Sequence, residues 1–308
     1  MGKIASIDIG SNTLRLLIAE KSGERIKALF RDREMVRLGR SFYPSLLLSS
    51  TAMEAAVKVL KRFVVETEKE GVTNLRAVGT GVLREAENIR FFLEKVRKET
   101  GLLVRIVSGV EEAGLMAKGI LSVFPSIQGK TIIFDIGGGS TELVFLNNGQ
   151  MAERISMPLG VVGLTEKFLK TDPPKSNESD SLKIHCRNIL RKNSAKNDKI
   201  RKLIGTAGTA TTLAAMAKNL FDYDPDQINQ TVLTKEYLIE LSKQILALPL
   251  EKRSSLAGLE PGRADIISAG ILLVLEIMGH FSQRVLLVSD AGLLEGMILE
   301  KKGIGFKV

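Results

Sequence analysis

The stretch that most constrains how this chain can fold is TIIFDIGGGSTELVF, residues 131–145. An apolar run ends in Asp135 and is followed by three consecutive glycines, two hydroxyl residues and a second apolar run. This pattern predicts a β-hairpin, because glycines let the backbone turn tightly and approach a ligand with no Cβ in the way. The N–H groups and hydroxyls of the turn can converge on an anion. The residues concerned are Gly137, Gly138, Gly139, Ser140 and Thr141.

The same pattern occurs a second time near the N-terminus, where residues 4–18 have the sequence IASIDIGSNTLRLLI. Asp8 aligns with Asp135 without a gap, at an offset of 127 residues. The turn is then formed by Gly10, Ser11 and Asn12. A single Gly-rich turn is typical of a hairpin with no ligand, whereas the doubled motif predicts two similar lobes. Each lobe would offer a phosphate-binding hairpin to the cleft between them, since clefts between domains commonly bind ligands.

The remaining pattern favours an α/β fold. Strands alternate with helices in each half, which is typical of mixed sheets covered by helices. Thr51 with Glu54 predicts a capping box that begins a helix, and Gly101 is expected to end the next one. Pro125 and Gly129 suggest a boundary, so we predict an N-terminal lobe, residues 1–124, and a C-terminal lobe, residues 125–308. A final helix at about 291–302 is able to pack back on the first lobe.

A basic segment, residues 183–202, carries eight Lys or Arg against one Asp. It favours a helix with Ile184, Ile189 and Leu190 facing inward, preceded between Thr171 and Ser181 by a Pro/Ser/Asn/Asp cluster expected to be irregular. Its charges form either a rim that follows a long anionic substrate or, in the interpretation we favour, a solvated helix face.

The formal net charge of +9 favours polyanionic partners, although charge that serves only solubility is an equal alternative. The chain shows no nucleic-acid motif and has no Trp, so no nucleic-acid partner is expected. No membrane association is expected either, because the longest apolar stretch, residues 266–278, is too short to span a bilayer. The single cysteine, Cys186, excludes an internal disulfide framework and suits the cytoplasm.

Four motifs together point to a known family. They are DIGSN at residue 8, VGTGVLR at residue 78, SGVEEA at residue 108 and DIGGGST at residue 135. From Ile4 to about Met297 the chain resembles the exopolyphosphatase / guanosine pentaphosphate phosphohydrolase family of the actin-like ATPase superfamily. The resemblance implies two ribonuclease-H-like (actin-like) lobes with an interdomain cleft. It also leads us to expect a homodimer, which nothing in the residues themselves demands.

A phosphohydrolase needs a carboxylate that activates water. Glu111 and Glu112 are adjacent, so on a helix they point about 100° apart and only one can face the cleft. The residues alone leave open which one it is, or whether both are solvated, and the resemblance selects Glu112 as the base. Arg84 can bind a phosphate bidentately or be an ordinary surface arginine. Glu142 is a further candidate for binding water or metal, and the role of Arg15 is left open.

Phosphoryl transfer also needs cations and further phosphate contacts. The aspartates Asp8, Asp135 and Asp290 are candidates for holding Mg²⁺, mostly through water, and a simple turn cap is the alternative for each. A monovalent cation such as K⁺ is left open. The corner that begins at Gly205 places N–H groups at a helix N-terminus, where they suit a nucleotide or a phosphate. The remaining candidate contacts are Thr80, Gly205, Gly208 and Thr209.

We therefore expect an enzyme that removes the terminal phosphate of inorganic polyphosphate or the 5′-terminal phosphate of guanosine pentaphosphate by metal-assisted attack of water. The ligand is then polyphosphate or a guanosine penta- or tetraphosphate. One alternative is a small-molecule kinase of the same superfamily, although no acceptor-sugar signature is apparent. Another is an actin-like ATP-binding sensor, in which binding matters and hydrolysis is slow.

Overall fold

The computed structural model describes residues 2–23, 25–194 and 200–300. The described residues divide into two compact units, one formed by those up to Pro125 together with those from Gly292 onward, and one formed by those within Ser126–Ala291. The division after Pro125 lies beside the predicted boundary. The prediction assigned residues 125–308 to the C-terminal lobe but allowed the final helix, at about 291–302, to pack back on the first lobe, and the described residues from Gly292 onward belong to the first unit.

The first unit is built on a five-stranded sheet with the order β3-β2-β1-β4-β5. Strand β1 is antiparallel to β2 and parallel to β4. The helices cover a core that contains Ile7, Leu16 and Phe63. The elements are β1 Lys3–Ile9, β2 Thr13–Ser22, β3 Arg25–Met35, α1 Ser50–Lys69, β4 Asn74–Gly79, α2 Ile89–Thr100, β5 Val104–Ile106 and α3 Gly109–Val123, with a short 3₁₀ helix at Gly81–Arg84.

The ends of two helices test the predicted capping signals. The hydroxyl of Ser49 accepts a hydrogen bond of 3.2 Å from the N–H of Ala52 and caps α1, so the predicted capping box at Thr51 was wrong by two residues. Thr51 lies inside the first turn because the serine before the helix already provides the acceptor. The predicted end of α2 is confirmed, since Gly101 takes the left-handed conformation with φ +72°.

The second unit contains a six-stranded sheet with the order β10-β11-β9-β6-β7-β8. Its core includes Ile132, Phe134 and Leu213. Strand β6 is antiparallel to β7 and parallel to β9, as β1 is to β2 and β4. The elements are β6 Lys130–Ile136, β7 Thr141–Asn147, β8 Gln150–Met157, α4 Val161–Phe168, α5 Ser176–Asn193, β9 Lys202–Thr206, α6 Ala207–Ala217, α7 Pro225–Ile228, β10 Val232–Thr234, α8 Lys235–Ala247, α9 Leu250–Arg253, α10 Ile267–His280 and β11 Val285–Val288.

Helix α5 corrects one prediction about the Pro/Ser/Asn/Asp cluster and one about the basic segment. The helix begins at Ser176, inside the Pro/Ser/Asn/Asp cluster that was expected to be irregular, because the prolines precede it and Glu178 binds the N–H of Lys175 at 3.0 Å. Ile184 is 55% exposed, whereas Leu182, Cys186 and Leu190 form the buried stripe. Residues 195–199 of the basic segment lie outside the described residues.

The last described helix, α11 Leu293–Leu299, packs on α3 within the first unit. A Cβ on Gly119 would lie 1.8 Å from the carbonyl oxygen of Gly292, and one on Gly296 would lie 1.7 Å from that of Leu115. The two helices therefore meet backbone to backbone. The predicted final helix reached residue 302, and its last two positions lie outside the described residues.

In the part of the chain that the structure describes, no helix is both long enough and apolar enough to cross a membrane.

Candidate active site

The two hairpins have the same geometry. Asp8 lies opposite Arg15 in the β1–β2 register, and Asp135 lies opposite Glu142 in the β6–β7 register. Each turn is closed by the same hydrogen bond, at 3.2 Å from Gly10 N–H and at 2.9 Å from Gly137 N–H. The doubled motif is therefore a doubled structure, one copy in each unit. Whether the two hairpins face each other across a cleft concerns the placement of the units and stays a prediction.

In the first hairpin, the buried Asp8 carboxylate lies among hydrogen-bond donors. Arg15 donates to one oxygen from Nε at 3.0 Å and from Nη2 at 2.6 Å, and Thr80 donates to the other at 3.1 Å. These contacts place Arg15, whose role the sequence left open, beside Asp8. Because both carboxylate oxygens of Asp8 already accept hydrogen bonds, Asp8 is better suited to holding a metal ion through a water molecule than to coordinating it directly.

The turn residues of the first hairpin are tied to the 3₁₀ helix. Ser11 Oγ accepts a hydrogen bond of 2.9 Å from the N–H of Val82. Gly81 has φ +58°, and a Cβ there would lie 2.1 Å from Ser11 Oγ, so this approach requires glycine. The carbonyl of Asn12 accepts from Val36 and Arg37 at 3.0 and 2.9 Å. Ser11 and Asn12 thus shape the loop, and the Ser11 hydroxyl proton is still able to reach an anion.

The two adjacent glutamates at the start of α3 have different partners. Ser108 caps the helix by accepting from the N–H of Glu111 at 3.2 Å. The Glu112 side chain is buried and lies 2.5 Å from Arg84 Nη1. Glu111 pairs instead with Arg105 at 2.6 Å. The expected divergence on the helix is confirmed, and it brings Glu112 together with Arg84, another predicted site residue.

The glycine loop of the second hairpin is held by the start of α4. Val161 donates to the carbonyl of Gly137, and Val162 to that of Gly138, each at 3.0 Å. In a trans peptide the next N–H points opposite to the carbonyl, so the N–H groups of Gly138 and Gly139 point away from α4. Within residues 2–23, 25–194 and 200–300 neither N–H donates to a protein acceptor. The loop therefore presents two adjacent donors to an anion.

Two buried carboxylates lie beside this loop. Asp135 is 5% and Glu142 1% exposed, and residues directly opposite on antiparallel strands share one face of the sheet. Oε1 of Glu142 accepts hydrogen bonds from Ser140 at 2.7 Å and Ser156 at 2.8 Å. Two opposed carboxylates repel each other unless a cation lies near them. Asp135 and Glu142 thus fit Mg²⁺, which usually takes one or two carboxylates and completes its shell with water and phosphate. Among the described residues, no three or more His, Cys, Asp or Glu side chains form a cluster suited to a metal ion.

Two other predicted site residues bind within the protein. The hydroxyl of Thr141 donates to the carbonyl of Leu159 at 2.5 Å and so holds the loop against the segment before α4. Asp290 accepts a hydrogen bond from the hydroxyl of Tyr223, and its N–H donates to Asn229 Oδ1 at 2.8 Å. Its role as a metal ligand stays a prediction, but these contacts assign Asp290 a local structural partner.

At the β9–α6 corner the structure adds a residue that sequence reasoning missed. A Cβ on Gly208 would lie 2.1 Å from Arg263 Nη1, so the guanidinium rests against the first turn of α6. Gly208 was the only signal for this approach in the sequence. Gly205, in contrast, is needed for packing, since a Cβ there would lie 2.7 Å from the Phe134 ring. The hydroxyl of Thr209 lies 3.4 Å from the carbonyl of Ile136 and links the corner to the hairpin.

The chain is similar to known proteins over most of its length. The family model of the Ppx/GppA phosphatase family matches residues 17–303. A bifunctional 3-dehydroquinate synthase/phosphatase of Fusobacterium nucleatum is 34% identical over 96% of this chain, which spans only 46% of that relative's length. Exopolyphosphatase 2 of Mycobacterium tuberculosis is 28% identical, with 98% of this chain and 99% of the relative covered.

A crystal structure of the Aquifex aeolicus member of the Ppx/GppA family superposes with a TM-score of 0.83 at 33% identity, covering 97% of this chain and 96% of that one. The predicted fold class, α/β with two ribonuclease-H-like (actin-like) lobes, is confirmed. With its paired hairpins and the family match over most of its length, the chain belongs to the Ppx/GppA phosphatase family.

Proposed function

We propose that this protein is a phosphohydrolase that releases the terminal phosphate of inorganic polyphosphate, the 5′-terminal phosphate of guanosine pentaphosphate, or both. The observation that carries the proposal is the β6–β7 loop, where the N–H groups of Gly138 and Gly139 lie next to two buried carboxylates. Anion donors beside a candidate cation site suit a phosphoanhydride better than an uncharged substrate. The relative named exopolyphosphatase 2 supports the polyphosphate substrate.

We propose that Asp135 and Glu142 hold Mg²⁺. The ion supplies positive charge that neutralises phosphate oxygens and the leaving group. The glycine N–H groups orient the phosphate through hydrogen bonds, and the hydroxyls of Ser140 and Ser156 hold the Glu142 carboxylate in place. Arg15 and Arg263 are the basic groups at the hairpin of the first unit and at the α6 corner, and both can bind further phosphates.

We assign the role of general base to Glu112. Its carboxylate accepts a proton from water as the water oxygen bonds to the terminal phosphorus and the anhydride P–O bond breaks, so that the electron pair leaves with the shortened chain. Arg84 holds this carboxylate through the contact at 2.5 Å and so acts as a positioning residue. A bound phosphate would be a second partner for the same guanidinium.

The test is phosphate release measured in parallel from long-chain polyphosphate, guanosine pentaphosphate and ATP, with Mg²⁺ and with a chelator. We expect turnover of at least one of the first two substrates, lost when Mg²⁺ is removed. Turnover of ATP alone, or tight ATP binding with no polyphosphate turnover, would support the kinase or sensor alternatives. Adding K⁺ in a further arm tests the monovalent cation.

The homodimer is also a proposal, supported only by the family expectation. Sedimentation equilibrium of the purified chain across a hundredfold concentration range is the measurement, and a constant monomer mass would contradict it.

A further inference from the structure

A cavity of about 390 Å³ lies among α5, α8 and α10 of the second unit, and nothing above assigns it a role. Leu272 and Leu275 of α10 and Ile239 of α8 form its apolar surface. Leu272 is fully packed, whereas Ile239 is 38% exposed, unusually accessible for an isoleucine. The volume falls within the range of small-molecule pockets.

The wall between α5 and α10 is fixed by an ion pair. Arg187 donates to Glu276 through Nε at 2.6 Å and Nη2 at 3.0 Å. This bidentate contact uses the only carboxylate among the lining residues. Behind it, His280 Nε2 lies 3.1 Å from both polar oxygens of Ser194 and holds the C-terminal end of α5 against α10. The cavity is thus preformed by contacts between helices.

Two of the cationic side chains on the rim lack a carboxylate partner among the described residues. Arg191 of α5 and Lys235 of α8 both line the cavity. Over the described ranges, neither of them forms an ion pair with Asp or Glu. The Lys235 ammonium lies 3.9 Å from the position that a Cβ on Gly279 would take, so it points across the cavity toward α10. Glu276 is neutralised by Arg187, and Lys183, which also lines the cavity, is paired with Asp180 at 3.0 Å, so Arg191 and Lys235 are the two lining cations left over the apolar floor.

We infer that this cavity binds a small organic anion, a single sulfonate, carboxylate or phosphate group carried on a compact aromatic or aliphatic body. The apolar floor indicates the chemical class of the ligand. An inorganic phosphate chain has no apolar surface to bury and would contact only the rim. An organic anion would bind through its charge at the rim and through its apolar body at the floor. The ligand class therefore differs from inorganic polyphosphate, one of the two substrates proposed above, and the inference does not depend on that proposal.

The cavity is separate from the hairpin of the same unit. Near its N-terminal end α10 contacts the α6 corner, where a Cβ on Gly270 would lie 2.7 Å from Thr209. The cavity-lining residues of α10 run from Leu272 to His280, and the first of them is two residues beyond Gly270. At about 100° per residue, Leu272 and Gly279 lie roughly 200° and 180° around the helix axis from Gly270, so the cavity is on the opposite face of α10 from the α6 corner.

The experiment is a fluorescence titration of the full chain with anilinonaphthalene sulfonate, an aromatic anion that becomes bright in apolar surroundings. We expect one saturable site. Arg191→Gln and Lys235→Gln should each raise the Kd roughly fivefold, the effect of removing one partly exposed charge contact. Ile239→Glu places a carboxylate on the floor and should raise the Kd at least tenfold.

Matched controls remove charges beside the cavity. Lys192→Gln on α5 and Lys243→Gln on α8 change exposed residues that do not line it, and both should bind the dye as the wild type does. Thermal unfolding of each variant, measured on a sample without the dye, verifies that the fold is kept. All five substitutions are at exposed or half-buried positions.

Three outcomes would overturn the inference. One is no saturable binding. Another is a Kd that the rim and floor substitutions leave unchanged, which would mean that the dye binds elsewhere. The third is displacement of the dye by inorganic polyphosphate at the dye's own concentration, which would make the cavity an extension of the substrate site. Since phosphate release is not measured in any arm, failure here leaves the proposed function unaffected.

Discussion

At the scale of single residues, neighbouring side chains of the same type have unlike roles because the helix directs them differently. Glu111 and Glu112 follow each other in the first turn of α3, yet one pairs with Arg105 and the other with Arg84. Glu112 is buried, with 7% of its surface exposed. A buried carboxylate beside a fixed guanidinium keeps one orientation, as a base must.

This difference predicts the outcome of a pair of substitutions. Glu112→Gln should lower the rate of phosphate release roughly 10²- to 10⁴-fold, the range for loss of a general base, with substrate affinity little changed. Glu111→Gln on the same turn should keep the rate within about twofold, since its partner lies elsewhere. The measurement is steady-state kinetics on the best substrate. Equal losses from the two variants would show that Glu112 is not the base.

A second residue-scale prediction concerns Cys186. Burial, and to a smaller extent the Glu276 carboxylate, raises the pKa of the Cys186 thiol to about 12. Because the reactive form is the thiolate, native protein at pH 8 should resist iodoacetamide, at a rate about a thousandfold below that of protein unfolded in urea. Because the raised pKa keeps the thiol protonated in the folded protein, the protonated thiol stabilises the folded state at neutral pH, and this stabilisation is lost as the pH rises toward 12. Mass spectrometry over several hours measures the labelling of Cys186 by iodoacetamide, and rapid labelling of native protein would contradict the prediction.

At the scale of elements, the glycine loop of the second hairpin is held by its contact with α4. The backbone at Gly160 has φ −104° and ψ 143°, a conformation open to any residue. A Cβ at that position, however, would lie 2.2 Å from the carbonyl oxygen of Gly138. The glycine is therefore required by close approach and not by its own dihedral angles.

Gly160→Ala should displace the loop without abolishing the fold. Overpacking of this kind costs about 1–3 kcal/mol, and the displaced N–H groups should lower phosphate release at least roughly tenfold. The matched control is Gly279→Ala on α10, where the nearest atom to a new Cβ is 3.9 Å away. Activity and urea unfolding are both measured. Full activity in Gly160→Ala would mean that the loop position does not matter for the reaction.

At the scale of the whole molecule, the first unit is assembled from two separate parts of the chain. Helix α11 completes its core, where Leu293 and Met297 pack with Val78 and Leu115. The hydroxyl of Ser6, on β1, donates to the carbonyl of Leu294 at 3.0 Å. The strand that carries Asp8 and the helix that carries Glu112 thus both pack on a segment from near the end of the sequence.

Replacing the glycines at this contact should destabilise the first unit. A Cβ on Gly296 would lie 1.7 Å from a backbone oxygen that cannot move alone, so Gly296→Ala should lower the free energy of unfolding by about 1–3 kcal/mol or more. Urea unfolding monitored by circular dichroism is the measurement. Gly279→Ala again provides the control. A variant as stable as the wild type would contradict the backbone-to-backbone contact.

The sequence alone determined the local parts of this protein. Alternating apolar runs and Gly-rich turns set the register of each hairpin, because a turn and its two strands are neighbours in the chain. The positions of Asp8 and Asp135 at the strand ends followed from that register. The same offset also maps Arg15 onto Glu142, a signal that the sequence contained and that was not used.

Only the tertiary structure decided which distant groups meet. Arg84 meets Glu112, and Arg263 lies against Gly208, through packing between elements that no local pattern encodes. The same holds for α11, which returns to the first unit because small residues allow two helix backbones to touch. Such contacts depend on the complementary shape of surfaces formed after the elements fold, and periodicity describes only the surface of one element.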